Sequence, residues 1–240
     1  MIKGIYSSAA AMRAGIVRQD LTANNLANAS TTGFKRDRFV IEQQLDGANV
    51  GDSRNLLDAV KGAGYTAFSA GPLESTEAPL DFALQGSGFF VVTDQEGTHY
   101  TRNGRFDRNA EGQLVDAEGR RVQGEGGDLT IPPGIVTVSD DGRVSVDGVS
   151  LDRLRVVEFE NPGELVKTKD SLFSDPDNAA GERAVARTSV AQGFLEQSNV
   201  DAVREMVEMI ATARHYEASS RLMTAQDASL NHVVNDIGRV

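Results

Sequence analysis

Apolar and small residues recur at alternating spacings of four and three at both ends of the chain. Toward the amino end the positions are Ile5, Ala9, Met12, Ile16, Gln19, Ala23 and Leu26. Toward the carboxyl end they are Ala202, Met206, Met209, Ala213, Tyr216, Ser220, Met223, Asp227, Leu230, Val234 and Ile237. A 3.5-residue repeat marks a narrow seam that faces another helix, not a broad stripe that faces a globular core. The pattern predicts a helix over residues 3–28, closed by the polar run that ends at Gly33. It predicts a second helix after Ser198, Asn199, Val200 and Asp201, where Ser198 and Asp201 have capping-box spacing. Gly15 weakens the first helix by ~1 kcal/mol relative to alanine. The second, if it continues to Ile237, has roughly 36 residues and reaches ~54 Å at 1.5 Å per residue. A single seam of that length is marginal alone, so the helices are expected to pair with each other, with neighbouring copies, or both.

Between the helices the period changes from 3.5 to 2. Turn signals at 94–97, 103–104, 109–112, 116–119, 140–142 and 147–148 separate short β-type runs at 89–93, 99–101, 113–115, 143–146 and 154–159. Strands at this density with tight turns indicate an antiparallel meander or small distorted barrel, not βαβ units. Pro132 and Pro133 interrupt the sheet and mark a crossing or an edge. Residues 39–41 read as extended, 46–53 as a loop and 55–60 as a short helical turn. The expected class is α+β: a discontinuous coiled-coil layer from residues 1–30 and 198–240, a connecting segment over 31–70, and a β-rich domain over 71–197.

Composition narrows the function. The 240 residues suffice for a buried core, and 40% apolar with 25% charged residues is ordinary for a folded soluble chain. A formal charge of −11 argues against nucleic acid and against an anionic membrane surface, both of which need clustered cations. With no cysteine, disulfides, thiolate metal sites and thiol nucleophiles are excluded, which also fits export to an oxidising compartment. No apolar run approaches the roughly 20 residues of a membrane span. The first 13 residues look superficially like a signal peptide, but Arg13, Arg18 and Asp20 cut the apolar stretch short and the heptad runs through them. The segment is therefore read as mature structure, and any export as uncleaved.

Catalytic constellations are missing. Gly124, Gly126 and Gly127 lack the Lys and Ser/Thr of a phosphate loop. Asp140, Asp141 and Gly142, like Asp175, Asp177 and Asn178, lack the ligand spacing of a calcium loop. His215 and His232 share a helix but lie about 26 Å apart at 1.5 Å per residue, too far to share a metal, and His99 stands elsewhere. Ser87 has neither a nucleophile elbow nor a base. No carboxylate pair stands out for glycoside hydrolysis among the 35 present. Neither an enzyme nor a cofactor is expected. Met12, Met206, Met209 and Met223 fall on seam positions, where an adaptable side chain suits core filling and imperfect partner surfaces alike.

Three stretches resemble the bacterial flagellar rod and hook family, in that family's order. Residues 22–34, with Asn24, Asn25, Leu26, Asn28, Gly33 and Phe34, resemble its amino-terminal signature. Residues 86–92 with 100–106 resemble its central β-motif. Residues 193–200, including Ser198 and Asn199, with 203–216 resemble its carboxyl-terminal motif. The resemblance implies terminal helices forming the inner layer and a β-domain forming the outer layer of a hollow helical tube. It implies a structural subunit of the periplasmic rod, exported uncleaved through the flagellum's own channel. Its implied partners are further copies, neighbouring rod proteins and the export apparatus, with no nucleic acid and no stable membrane insertion. The length, residues 79–84 and residues 124–127 ahead of Ile131 favour a member from the proximal part of the rod, with the distal part as alternative. The expected assembly residues are Ile5, Met12, Ile16, Leu26, Met206, Met209, Tyr216, Met223, Leu230 and Val234. The competing class is a carbohydrate- or peptide-binding β-module with oligomerising ends, against which the lack of Trp and scarcity of Tyr count.

Overall fold

Helix α1 covers Ile2–Ala27 and helix α2 covers Ala202–Ile237 in a computed structural model that describes residues 2–43, 60–185 and 188–237. Both match the seam-patterned segments to within a residue or two. The cap of α2 differs from the sequence expectation. Asp201, not Ser198, is the N-cap: its Oδ1 accepts the Arg204 N–H at 3.1 Å and its carbonyl accepts the Glu205 N–H at 3.0 Å. Ser198 Oγ instead accepts the Val200 N–H at 3.3 Å. The helix starts late because Asn199 is still committed to hydrogen bonds with residues 36, 67 and 69.

The chain divides into two units. One comprises Met1–Ala27, Asp37–Tyr65 and Asp201–Val240; the other comprises Asn28–Arg36 and Thr66–Val200. In the first unit, α1 and α2 lie antiparallel. Gly4 abuts Gln226, Gly15 faces Tyr216, Arg18 pairs with Glu208 at 3.1 Å, and Asn25 reaches Glu205. A two-stranded ribbon of Asp37–Gln43 and Val60–Thr66 accompanies them. Its Phe39 ring lies 5.5 Å from the Arg18 guanidinium, and a Cβ at Gly64 would stand 3.2 Å from Leu21. The extended run at 39–41 falls inside the first ribbon strand. The loop at 46–53 and residues 55–59 of the helical turn lie outside the described residues, while Val60 begins a strand. That second strand was illegible because Gly62 and Gly64 dilute its β signal.

The second unit is antiparallel throughout. Its largest sheet has ten strands, with Phe89–Thr93 flanked by Thr98–Thr101 and Arg121–Gly124 and also paired with Val156–Phe159. Consecutive strands are therefore not always neighbours, and the sheet is more branched than a meander. Phe89 and Val91 point into one apolar cluster with Tyr100, Phe159 and Phe173. Phe90 and Val92 point into the other with Phe82, Leu84, Leu114 and Ile131. Both faces of this strand are buried, which explains its unbroken apolar run. After Ile131 the two prolines carry the chain from the large sheet to a separate three-stranded one, Val136–Val138, Arg143–Val146 and Val149–Arg153. Two short pairings complete the unit: Ser189–Gln192 with Phe82–Gln85, and Phe194–Glu196 with Leu73–Ser75.

Candidate assembly site

The seam positions occupy one side of each helix, but the helices meet along a column one residue earlier. Ile5, Met12, Leu26, Met209, Met223 and Leu230 are partly covered. Ile16, Met206 and Tyr216 are exposed, and the side chain of Val234 lies outside the described residues. Besides Ala10, the buried positions among the described residues of the helices are Ser8, Thr22 and Asn25 on α1 and Glu205 and Thr212 on α2. Spacing along the contact face is thus 5-8-12 and 202-205-209, not 5-9-12 and 202-206-209. A hydrophobicity scan misses this column because its residues are small or polar. Small residues on α1 leave room for side chains of α2, as where Gln226 lies against Gly4 and Tyr216 against Gly15. The contact also strands polar atoms: Gln19 Oε1, Thr212 Oγ1 and Gln226 Oε1 are buried without a hydrogen bond, a costly arrangement.

Of the motif amides, Asn25 carries the tightest bonding in the helical unit. Its Oδ1 accepts the Asp37 N–H at 2.8 Å, and its Nδ2 donates to the Asp37 carbonyl at 2.8 Å and to Glu205 Oε2 at 3.3 Å. One buried amide thereby ties the last turn of α1 to the ribbon and to the first turn of α2. Asn24 is exposed on the helix. In the β unit, Asn28 accepts the Thr31 hydroxyl at 3.2 Å and begins the turn that ends α1. Asn199 accepts the Arg36 N–H at 2.7 Å and donates to the carbonyls of Ala67 and Ser69 at 2.8 and 3.0 Å. Asn199 therefore fastens three chain segments at once.

Beyond the motif turn, the β unit holds a buried ionic cluster that the sequence did not announce. Glu196 accepts Lys35 Nζ at 2.6 Å, the Gly71 N–H at 2.8 Å and Arg102 at 3.4 Å. All three charged side chains are almost completely buried. Burial pulls the Lys35 and Arg102 pKa values below their ordinary range, and Glu196 opposes the shift in both. Arg102 also stacks 4.8 Å from the Phe89 ring centroid, and buried Phe34 lies 3.9 Å from the Lys167 ammonium. Gly33 sits at φ +69°, and a Cβ there would stand 2.3 Å from the backbone nitrogen of Asn103. Gly33→Ala is therefore expected to destabilise the protein by about 2–4 kcal/mol, from the left-handed backbone and the clash together. A urea midpoint equal to the parent's would sink that account.

Catalytic geometry does not emerge from these contacts. His99 Nε2 lies 3.2 Å from Asp94 Oδ1, and His215 and His232 are exposed on α2. Among the described residues no three His, Cys, Asp or Glu side chains could hold a metal ion, and no helix is long and apolar enough to cross a membrane.

Three family descriptions match the chain in succession. Residues 5–35 match the flagella basal body rod protein family, residues 83–146 the flagellar hook protein FlgE/F/G D1 domain, and residues 191–235 the flagellar basal body rod FlgEFG protein carboxyl-terminal region. Among curated relatives, the chain is 36% identical to the flagellar basal-body rod protein FlgF of Caulobacter vibrioides, across 92% of each chain. It is 34% identical to FlgF of Salmonella typhimurium, across 95% of each. It is 31% identical to the rod protein FlgG of Bacillus subtilis, across 98% of this chain and 99% of that one.

Proposed function

Because the chain belongs to the flagellar basal-body rod protein family, a structural and non-enzymatic family, we propose that it builds the proximal part of the rod through its terminal helices. The carrying observation is the helix pair, whose inner column is small and polar while much of its apolar surface stays uncovered. In this reading α1 and α2 pack with the helices of other copies and of neighbouring rod proteins as a coiled-coil layer. Ile5, Met12, Ile16, Leu26, Met206, Met209, Tyr216, Met223, Leu230 and Val234 lie in its contacts. The β-rich region, read as a distorted barrel over residues 71–197, packs separately from the helices of residues 1–30 and 198–240, with 31–70 connecting them. The subunit reaches its place through the flagellar export apparatus without cleavage.

Length supports the proximal over the distal position. Matches to relatives named FlgG extend over 258 to 268 aligned positions, more than this chain's 240 residues, whereas those named FlgF extend over 226 to 243. The distal member of the family is usually the longer one. Deleting the chain from its own bacterium should leave cells without a complete rod and non-motile, with motility restored by the intact gene. Electron cryomicroscopy of restored basal bodies should place its density in the proximal rod. Cells that swim without the chain would overturn the assignment, and density confined to the distal rod would replace the proximal reading.

A further inference from the structure

Three segments of the β unit are bonded pairwise to one another: residues 33–36 after α1, residues 67–75 after the ribbon, and residues 194–200 before α2. The Gly33 N–H donates to the Glu196 carbonyl at 2.7 Å and the Asn199 N–H to the Phe34 carbonyl at 3.4 Å, joining the first segment to the third. The Ala67 N–H donates to the Arg36 carbonyl at 2.9 Å, joining the first to the second. The Gln197 N–H donates to the Pro72 carbonyl at 2.9 Å, beside the pairing of Leu73–Ser75 with Phe194–Glu196, joining the second to the third. Where they meet, Lys35 Nζ donates to Glu196 and to the Ser69 carbonyl, and Glu196 also accepts the Gly71 N–H, so one ion pair touches all three. We infer that these segments form a latch that opens and closes as one piece while the large sheet stays folded.

Cooperativity follows from the bonding pattern. Withdrawing residues 194–200 takes the carboxylate from Lys35 and the acceptor from the Gly71 N–H. Withdrawing residues 67–75 takes the acceptor from the Gln197 N–H, and withdrawing 33–36 takes the ammonium from Glu196. Each loss is costly at a buried site. Opening ahead of the sheet follows from what packs there. Phe34 and Leu195 are buried but stand outside both apolar clusters, whereas Phe89–Thr93 feeds one cluster on each face. Leu73 and Phe194 are 40% and 38% exposed. A short two-stranded pairing has little stability alone, and regions with few buried apolar contacts open first. The ties to the sheet are polar: Arg102 reaches Glu196 at 3.4 Å with its Nε buried and unbonded, and Lys167 Nζ donates to the Lys35 carbonyl at 2.6 Å. The latch contains Gly33, Phe34, Ser198 and Asn199, so motifs from opposite ends of the sequence are set or released in one step. In a rod subunit, release frees the chain after α1 and before α2 without unfolding the sheet. That use, unlike the latch itself, rests on the assembly role proposed above.

Amide hydrogen exchange of the purified full-length protein, read residue by residue by NMR, tests the latch without reference to the rod. The Gly33, Ala67, Gly71 and Gln197 amides each bond across two segments and are expected to share one protection factor, lower than that of Val91 in the central strand. In Glu196→Gln, which keeps the side chain's size but not its charge, all four should lose protection by the same factor, on the order of 10- to 100-fold. Val91 should change far less. Asp170→Asn, which alters the separate ion pair with Arg120, should move none of the four. If Glu196→Gln does not fold, Lys35→Met serves instead, and the four amides must then shift together in whichever direction they move. Four unrelated protection factors, or a loss confined to Gly71, would overturn the latch. So would a loss at Val91 as large as at the four, or no shift in the variant used. Any of these results leaves the rod assignment standing, and cells that swim without the chain would leave the exchange result standing.

Discussion

Glu196→Ala is expected to cost the folded protein about 3–5 kcal/mol, because it leaves two buried cations without their shared carboxylate. Lys35 keeps one acceptor, the Ser69 carbonyl at 2.9 Å, and Arg102 keeps the Phe89 ring, but neither neutralises a charge. The Gly71 N–H loses its acceptor as well. Against a total stability of about 5–15 kcal/mol, this is a large fraction. The thermal midpoint of the full-length variant should fall by on the order of 10 °C, at about 2–4 °C per kcal/mol for a chain of this size. The double variant Lys35→Met with Glu196→Leu, which removes an opposite pair together, should recover part of the loss. An unchanged midpoint for Glu196→Ala would mean that water or another acceptor already serves the two cations.

The cluster shows what the sequence could and could not reveal. Both helices were legible because a 3.5-residue apolar repeat survives without knowledge of the partner, and α2 ends at the predicted Ile237. Five β-type runs were legible because they combine β-branched or aromatic residues with Asp- or Asn-led turns closing on Gly, beside four of them (94–97, 103–104, 109–112 with 116–119, and 141–142 with 147–148). Glu196 was not, since a lone Glu in the run Phe194–Glu196 resembles a solvated edge position until Lys35 and Arg102 are brought to it from 161 and 94 residues away. The strands Leu73–Ser75 and Phe194–Glu196 were missed for the same reason: three residues give no period, and only their mutual pairing defines them. Along the helices, the apolar repeat identified the correct side of each but not the contact column. Ser8, Thr22, Glu205 and Thr212 carry no hydrophobic signal, so packing by small size is invisible to a pattern built on apolarity. Asn25 and Asn199 were visible as motif members, while their partners Asp37, Arg36, Ala67 and Ser69 required the fold.

Met209→Asp is expected to abolish motility while leaving the β unit folded. Met209 lies on the column shared by the sequence repeat and the observed helix contact, and its side chain is partly covered. A carboxylate there joins Glu205 and Glu208 on the same stretch of α2, where the neighbours three and four residues away, Glu205, Met206, Thr212 and Ala213, include no cation. Placing that charge in a closing helix contact costs about 2–4 kcal/mol unless it is paired, comparable to the whole of a weak subunit contact. Met206→Asp distinguishes the helix pair within one chain from contacts between chains. Met206 is already exposed, so its substitution should leave the purified subunit's melting curve unchanged and still block rod assembly. Met209→Asp should lower the helical signal of the subunit as well as block assembly. His99→Ala, in the β unit beside Asp94, should leave swimming intact in the same soft-agar assay. If Met209→Asp cells swim normally, the shared column is not an assembly contact; if only Met206→Asp cells swim, the exposed face of α2 around Met206 is not one either, and Met209 acts by holding the subunit's own helix pair together.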